Sequence, residues 1–578
     1  MTILAALALA AIGPASARAQ SSYPMLMSLK PIGVQIGATT EHEVSARYNL
    51  YGASQVIVAG SGVTGEVVPP EMPPAPKPEA KPGETASPQP PKKPEMPKIK
   101  LRFTVAADAV PGPRSFRVIT PQGASTVGQL VLVRDPVIYE TDKNDTLAGA
   151  QAVTLPATLC GAIEKAEDVD IFKFTVAANQ AITFHVLSQR CENKIHDLQV
   201  HSDPILTLRN SSGTVLALND NYFYGDPLLN YRFTAAGEYT LEIRDARYQG
   251  NVEWQYCIEA HDHPFVTNIV PSRLTPGVAT RVNLVGFNLP SDPTALVTLP
   301  PDVAEDVEWI NVPLAGGATV AAPAIVSRLP EFVESASDND LIAQAQPITV
   351  PAGVSGVISK EGDIDCYSFD AKKDELISFE VVARRRQSSL DSIFRVLNDK
   401  GAAHLEIDDM NTGRHIYADS QLENWKVPAD GKYFVEIRDL HQRGGPDFAY
   451  FLKVTKSQPY FALDLDSDKT LLAPGAGAAI YVRAYRRNGF AGDIQLAVEG
   501  LPPGVTAQCG KILAAATDGC IVLQAAADAP HSASNLKITG TASIPAADAN
   551  QPPVQLTAVA QPLQETYMPG GGRSHYPV

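Results

Sequence analysis

The sequence is poor in the features that would commit it to catalysis, to nucleic acid or to a membrane. Cysteine is scarce, six in 578 residues, and no two are spaced Cys-x-x-Cys, which argues against a zinc ribbon or a thioredoxin-like motif. Past the amino terminus, no apolar run reaches the ~18 residues a spanning helix needs. Positive charge is in deficit: 47 Lys and Arg stand against 63 Asp and Glu, the net charge is −16 and the pI is about 5.2. Such a surface repels nucleic acid and anionic lipid. No His-Glu-x-x-His occurs, since His42-Glu43 is followed by Val44-Ser45-Ala46. Gly-x-Ser-x-Gly is missing as well, and no Ser/His/Asp set stands out locally. A hydrolytic site assembled across domains is the enzyme reading that remains.

What is present points outward from the cell. Residues 1–19 run from an apolar stretch, Met1 to Ile12, into Ala17-Arg18-Ala19, the small-x-small pattern of a signal-peptidase site, so Gln20 is expected to begin the mature chain. The n-region has no Lys or Arg; either the α-amino group supplies the charge or the true start lies upstream of Met1. The expected location is secreted, periplasmic or cell-surface. The length implies roughly three to five domains. The 47 Pro and 41 Gly, with only 19% charged residues, suit turn-rich β structure. The fold class expected is all-β: tandem β-sandwich domains, immunoglobulin-like and jelly-roll-like. In an oxidising compartment Cys509–Cys520 reads as a local disulfide, two of Cys160, Cys191 and Cys257 can pair, and Cys366 is left over and buried.

The strongest signal is an internal duplication. Gly161-Ala-Ile-Glu-Lys-Ala-Glu-Asp168-Val-Asp170-Ile-Phe172-Lys-Phe174 returns 195 residues later as Gly356-Val-Ile-Ser-Lys-Glu-Gly-Asp363-Ile-Asp365-Cys-Tyr367-Ser-Phe369. Asn144-Asp145 returns as Asn339-Asp340, and Asp203 to Gly213 as Asp391 to Gly401. Gly237-Glu-Tyr239-Thr-Leu-Glu-Ile-Arg244-Asp245 matches Gly431-Lys-Tyr433-Phe-Val-Glu-Ile-Arg438-Asp439. Period-two alternation (Phe172/Phe174, Tyr239/Leu241/Ile243), interrupted by turn residues, predicts half-buried antiparallel strands. The Gly-x-Tyr strand of each copy reads as a tyrosine corner.

These blocks resemble the bacterial pre-peptidase C-terminal domain, a jelly-roll-like sandwich that accompanies many secreted peptidases. The resemblance implies an extracellular accessory role in binding, processing or retention, without an active site. The copies are expected at 138–262 and 334–456. An immunoglobulin-like sandwich is expected at 28–134, interrupted by a Pro-rich spacer at 69–99 that holds 12 prolines. Residues 266–328 echo that module and resemble immunoglobulin-like domains of the transcription-factor type. Residues 459–560 resemble bacterial immunoglobulin-like domains, and 565–578 read as a disordered tail. The module order resembles secreted proteins of planctomycete-type bacteria.

Calcium is the metal expected. It takes six to eight oxygen ligands, and some collagen-binding members of the resembling family bind it with an acidic linker and an Asp-rich turn. In the first copy the candidates are Glu140, Asp142, Asn144, Asp145, Asp168 and Asp170. In the second they are Asn339, Asp340, Asp363 and Asp365, with Ser335 and Ser337 where the first has Glu140 and Asp142, so that site is expected to be weaker or absent. The competing reading is that these residues cap solvated turns. His261-Asp262-His263 reads as a polar linker rather than a zinc site. Arg384-Arg385-Arg386 reads as a solvated loop before a glycan contact. Tyr222-Phe223-Tyr224 reads as a sandwich end-cap before a sugar platform. The function expected is a secreted or cell-surface non-catalytic binding or structural protein, with extracellular protein or polysaccharide as partner. The alternative is an accessory subunit or non-catalytic remnant of a secreted peptidase.

Overall fold

The computed structural model describes residues 23–69, 94–141, 143–192, 194–196, 198, 200–303, 309–335, 338–411, 416–544, 552–567 and 573–577. Residues 1–19, read above as a signal segment, most of the Pro-rich spacer and Asp142 lie outside them. The chain is almost wholly β. Its helical pieces, among the described residues, are a turn of α-helix at Gln189–Glu192 and two 3-10 turns, Leu147–Gly149 and Arg384–Arg386. None is long and apolar enough to cross a membrane.

Ten strands build the first repeat: β1 (Val137–Tyr139), β2 (Gln151–Ala152), β3 (Ala157–Ala162), β4 (Val169–Val176), β5 (Ala181–Leu187), β6 (Pro204–Asn210), β7 (Val215–Asn219), β8 (Leu228–Arg232), β9 (Gly237–Asp245) and β10 (Gln255–His261). They form two sheets, in the orders β1-β3-β10-β5-β8 and β2-β4-β9-β6-β7. The second repeat runs β11 (Glu331–Val333), β12 (Gln346–Pro347), β13 (Ala352–Val357), β14 (Asp365–Ala371), β15 (Leu376–Val382), β16 (Ser392–Leu397), β17 (Ala403–Ile407), β18 (Gln421–Lys426), β19 (Gly431–Asp439) and β20 (Ala449–Lys456). Its sheet orders are β11-β13-β20-β15-β18 and β12-β14-β19-β16-β17, the first repeat's strand for strand.

The cores follow from the alternation. On β4, Phe172, Phe174 and Val176 point inward with Phe184, Leu206, Leu241 and Ile243, while Thr175 is exposed. Full burial of each such side chain contributes about 1.5–3 kcal/mol. Tyr239 donates its hydroxyl to the Ala235 carbonyl (2.9 Å), and Tyr433 to that of Ala429 (2.7 Å), the tyrosine corner expected of the Gly-x-Tyr strands.

Before the first repeat stands a sandwich with a core of Leu101, Phe103, Phe116, Val118, Leu130 and Leu132. The spacer's exit is fastened to it by Asn49, whose amide donates to Pro94 O (2.7 Å) and accepts from Met96 N–H (2.9 Å). Before the second repeat, a smaller unit repeats its design. Both have a bulged opening strand, at Leu26/Ser28 and Val266/Asn268. Both have a short strand paired in parallel with the last one, Gly33–Gln35 with Gly128–Val133 and Arg273–Leu274 with Ile325–Val326. The last unit curls eight strands between Tyr460 and Gln561 around Phe461, Val482, Ile494, Leu496 and Ile521.

The units touch. Leu29 N–H donates to Gln255 Oε1 (2.8 Å) and Leu29 O accepts from Gln255 Nε2 (2.6 Å), across the first unit and first repeat. Arg117 pairs with Asp468 at 2.5 Å, both largely buried, joining the first and last units, and Val127 N–H donates to Gln564 Oε1 (3.0 Å) in the strand that follows the last unit.

Two expectations are corrected. The tail read as disordered contains paired strands, Leu563–Tyr567 with Arg573–Pro577, because the Gly570-Gly571-Gly572 run that suggested disorder is flanked by segments able to pair. Cys509 and Cys520 are free, as are the other four cysteines. Cys509 lies opposite Ile521 and packs on the core beside it, so Cys520, the preceding residue of that strand, faces the other side of the sheet.

Candidate functional site: a buried carboxylate pair in each repeat

The Asp-rich turn ends in two residues that enter β4 with opposite fates. Asp168 accepts from Glu164 N–H (2.6 Å) and closes its own turn. Asp170 points inward, 4% exposed, and its Oδ2 has no partner. Facing it is Glu140, at the end of β1. Its backbone N–H donates to Cys160 O (2.9 Å), Oε1 accepts from Ala162 N–H (2.8 Å) and Oε2 from the Tyr256 hydroxyl (2.7 Å). The Glu140 and Asp170 carboxyls are hydrogen-bonded to each other, which requires a proton between them. Burial first, then the neighbouring Glu140 charge, pushes Asp170 up to about 10, and burial raises Glu140. Gly161 permits this approach, because a Cβ there would collide with Tyr256 Oη and Glu140 Oε2.

The remaining candidates divide. Asn144 is buried beside β4, its carbonyl accepting from Ile171 N–H (3.0 Å) and its Nδ2 unpartnered. Asp145 is exposed and meets Lys165 Nζ at 3.3 Å; the same ammonium lies 3.6 Å from Asp168. Among the described residues, no three His, Cys, Asp or Glu side chains form a group that could hold a metal ion. The chemistry nonetheless suits a hard cation in its oxygen donors: the Asp170 carboxyl keeps a bare oxygen beside the Glu140 carboxyl.

The second repeat has the same arrangement. Asp365 is fully buried with Oδ1 unpartnered, and burial, then Glu334, pushes it up to about 9. Asp363 accepts from Ser359 N–H (2.5 Å) and Oγ (2.7 Å). Asn339 is buried with Nδ2 unpartnered, and Asp340 lies 3.7 Å from Lys360 Nζ, which also nears Asp338 and Asp363. Glu334, missed by the sequence reading, is the counterpart of Glu140: its N–H donates to Ser355 O (2.9 Å) and Oε2 accepts from Val357 N–H (2.7 Å). The constant offset had put Ser335 there, but the segment before Asn339 is one residue longer than that before Asn144. Tyr256, Tyr450, Gly161 and Gly356 were also missed as site residues; Gly161 and Gly356 open the repeated block, which is the signal that marks them.

The other clusters are engaged in contacts within the fold. His263 pairs with Asp135 (3.0 Å) and stacks on buried His261. Arg385 is held by Asp419 (2.5 Å) and Glu380 (2.9 Å), as Arg190 is by Asp226 (2.6 Å). Phe223 is buried under the Arg190 guanidinium, while Tyr224 is exposed.

The family described as the bacterial pre-peptidase C-terminal domain matches residues 168–245. A probable subtilase-type serine protease of Deinococcus radiodurans is 35% identical over 108 residues, covering 18% of this chain and 14% of that one. The chain thus spans about one seventh of that relative's length. Among solved structures, the pre-peptidase C-terminal domain of a Bacillus anthracis collagenase aligns over 19% of this chain and 94% of its own, at 18% identity and TM-score 0.14. Surface layer protein SbsC, domains 1–6, aligns over 96% of this chain and 58% of its own, at 9% identity and TM-score 0.13. Scores this low establish no shared overall arrangement.

Proposed function

We propose that the chain is an exported, non-catalytic array of β-sandwiches presenting surfaces to extracellular protein or polysaccharide, with calcium stabilising the first repeat. The observation that carries the calcium reading is the Glu140–Asp170 pair, of which Asp170 lies in the region matched by the pre-peptidase family and Glu140 precedes it: two carboxyls buried together with one proton and a bare oxygen. Glu140, Asn144, Asp168 and Asp170 would hold the ion, which would supply the positive charge the shared proton now provides. We assign the second repeat to the same family on its identical strand order and its matching Glu334–Asp365 pair. Calorimetric titration of calcium into the metal-free full chain tests this. Saturable binding, a rise in melting temperature and proton release that differs between buffers of different ionisation enthalpy are expected, and Glu140→Gln with Asp170→Asn removes the first-repeat component. No heat and no melting shift at millimolar calcium would leave the pair as a proton-sharing structural lock.

A second reading, an accessory part of a secreted peptidase, is favoured by the subtilase relative. A subtilase that co-purifies with the chain and changes activity on its removal would support it.

A further inference from the structure

Three of the six cysteines, Cys160, Cys191 and Cys257, lie fully buried in one small core where Ile32, Val131 and Val133 of the first unit cover the first repeat. Cys160 on β3 is the register partner of Cys257 on β10, and both belong to this core. Strand polarity adds a constraint. Cys160 O accepts from Glu140 N–H on the β1 side, and two residues earlier Thr158 N–H donates to Pro136 O on that same side. The backbone groups of Cys160 therefore face away from β10, which makes Cys160/Cys257 a non-hydrogen-bonded pair of the antiparallel ladder. Such pairs bring the Cα atoms to about 4.5 Å, inside the roughly 4.4–6.8 Å range of disulfides. Cys191 sits instead on the helical turn after β5, with its N–H donated to Ser188 O, and has no strand partner.

We propose that Cys160 and Cys257 are a disulfide-forming pair, joined across β3 and β10 in the exported protein, and that Cys191 stays a thiol. The oxidant is a disulfide exchange partner. One cysteine thiolate attacks the partner's S–S bond, giving a mixed disulfide and releasing one partner thiolate. The second cysteine sulfur then attacks the mixed disulfide, forming the Cys160–Cys257 bond and releasing the other partner sulfur. Two electrons and two protons pass to the partner, which leaves as two thiols. The neighbouring Cys160 first, then burial, raises the Cys257 thiol well above its ordinary value, and burial pushes Cys191 up to about 12, so exchange precedes closure of the first unit over this core. The second repeat carries Ser355 opposite Phe451 at these positions, with Phe451 packed on Ile325 and Val382, so the staple is particular to the first repeat. It flanks the carboxylate site on both strands, since Cys160 precedes Gly161 and Cys257 follows Tyr256.

The proposal rests on the exported reading for its oxidant in the cell and on the strand register for its geometry, and the test separates the two. The full chain is unfolded, reduced, refolded in a glutathione redox buffer, alkylated and mapped without reduction; chain extracted from its native cells is mapped in the same way. A linked peptide pair holding Cys160 and Cys257, with the other four thiols alkylated, is expected in both samples. A bond in the refolded chain alone supports the pairing and counts against export. Alkylation of all six thiols in the refolded chain, or a bond to Cys191, overturns the proposal. Reductant should lower the melting temperature of the oxidised protein by more than about 5 °C. Cys191→Ser should keep that dependence, and the double variant Cys160→Ser/Cys257→Ser should lose it.

Discussion

In the first repeat the Tyr256 hydroxyl donates to Glu140; in the second, Tyr450 donates to Asp365 at 2.6 Å, and each Asp keeps one bare buried oxygen. The strands, the Asp pair and the tyrosine are common to both. What differs is one hydroxyl on the neighbouring strand: Phe172 in β4 is replaced by Tyr367 in β14, whose oxygen lies 2.6 Å from Tyr450 Oη. The extra oxygen extends the hydrogen-bond chain in the second repeat. In both repeats burial, then the neighbouring glutamate, pushes the Asp carboxyl far above its ordinary range. A duplicated acidic pair is thereby wired differently in its two copies by a residue that carries no charge.

The sharpest way to break the shared design is to fill the space that allows it. Gly161→Ala and Gly356→Ala each drive a methyl group into a tyrosine hydroxyl, and in the first repeat also into Glu140. Each should cost about 1–3 kcal/mol, read as a lower denaturant midpoint. Next come Asp170→Asn and Asp365→Asn. The folded state keeps a proton that the unfolded chain releases near pH 3.8, so metal-free stability falls as pH rises from there toward about 10. Each Asn variant should flatten that fall, gaining roughly 1–2 kcal/mol at pH 8 and little at pH 4.5. Melts across that pH range decide it; a variant parallel to wild type would mean the pair ionises freely. The smallest effects are in the exchange itself. Phe172→Tyr should shift the first repeat's pH dependence toward that of the second, and Tyr367→Phe the reverse. Each should change stability by about 1 kcal/mol, measured by chemical denaturation at two pH values.

Much of this was legible in the sequence, for reasons of range. Period-two alternation reports local burial, so strands such as Val169–Val176 and Gly237–Asp245 are visible in isolation, and the recurrence of Asp168-x-Asp170 marks the turn. The pair itself was half visible. Glu140 was expected as a ligand, but its counterpart Glu334 was hidden by one extra residue before Asn339, which breaks the constant offset. Tyr256 and Tyr450 reach the site from strands more than 80 residues beyond their Asp partners, and no local pattern reports that approach. The Cys509–Cys520 expectation failed on parity: a short spacing brings two cysteines onto paired strands without deciding which face each occupies.

The Arg117–Asp468 ion pair lies between segments 351 residues apart and is almost shut off from water. With Val127 held to Gln564, it acts as a clasp, turning a string of modules into a loop whose first and last members hold each other. The two ends of the array cannot separate while this ion pair and the Gln564 bond hold, whatever happens in the chain between them.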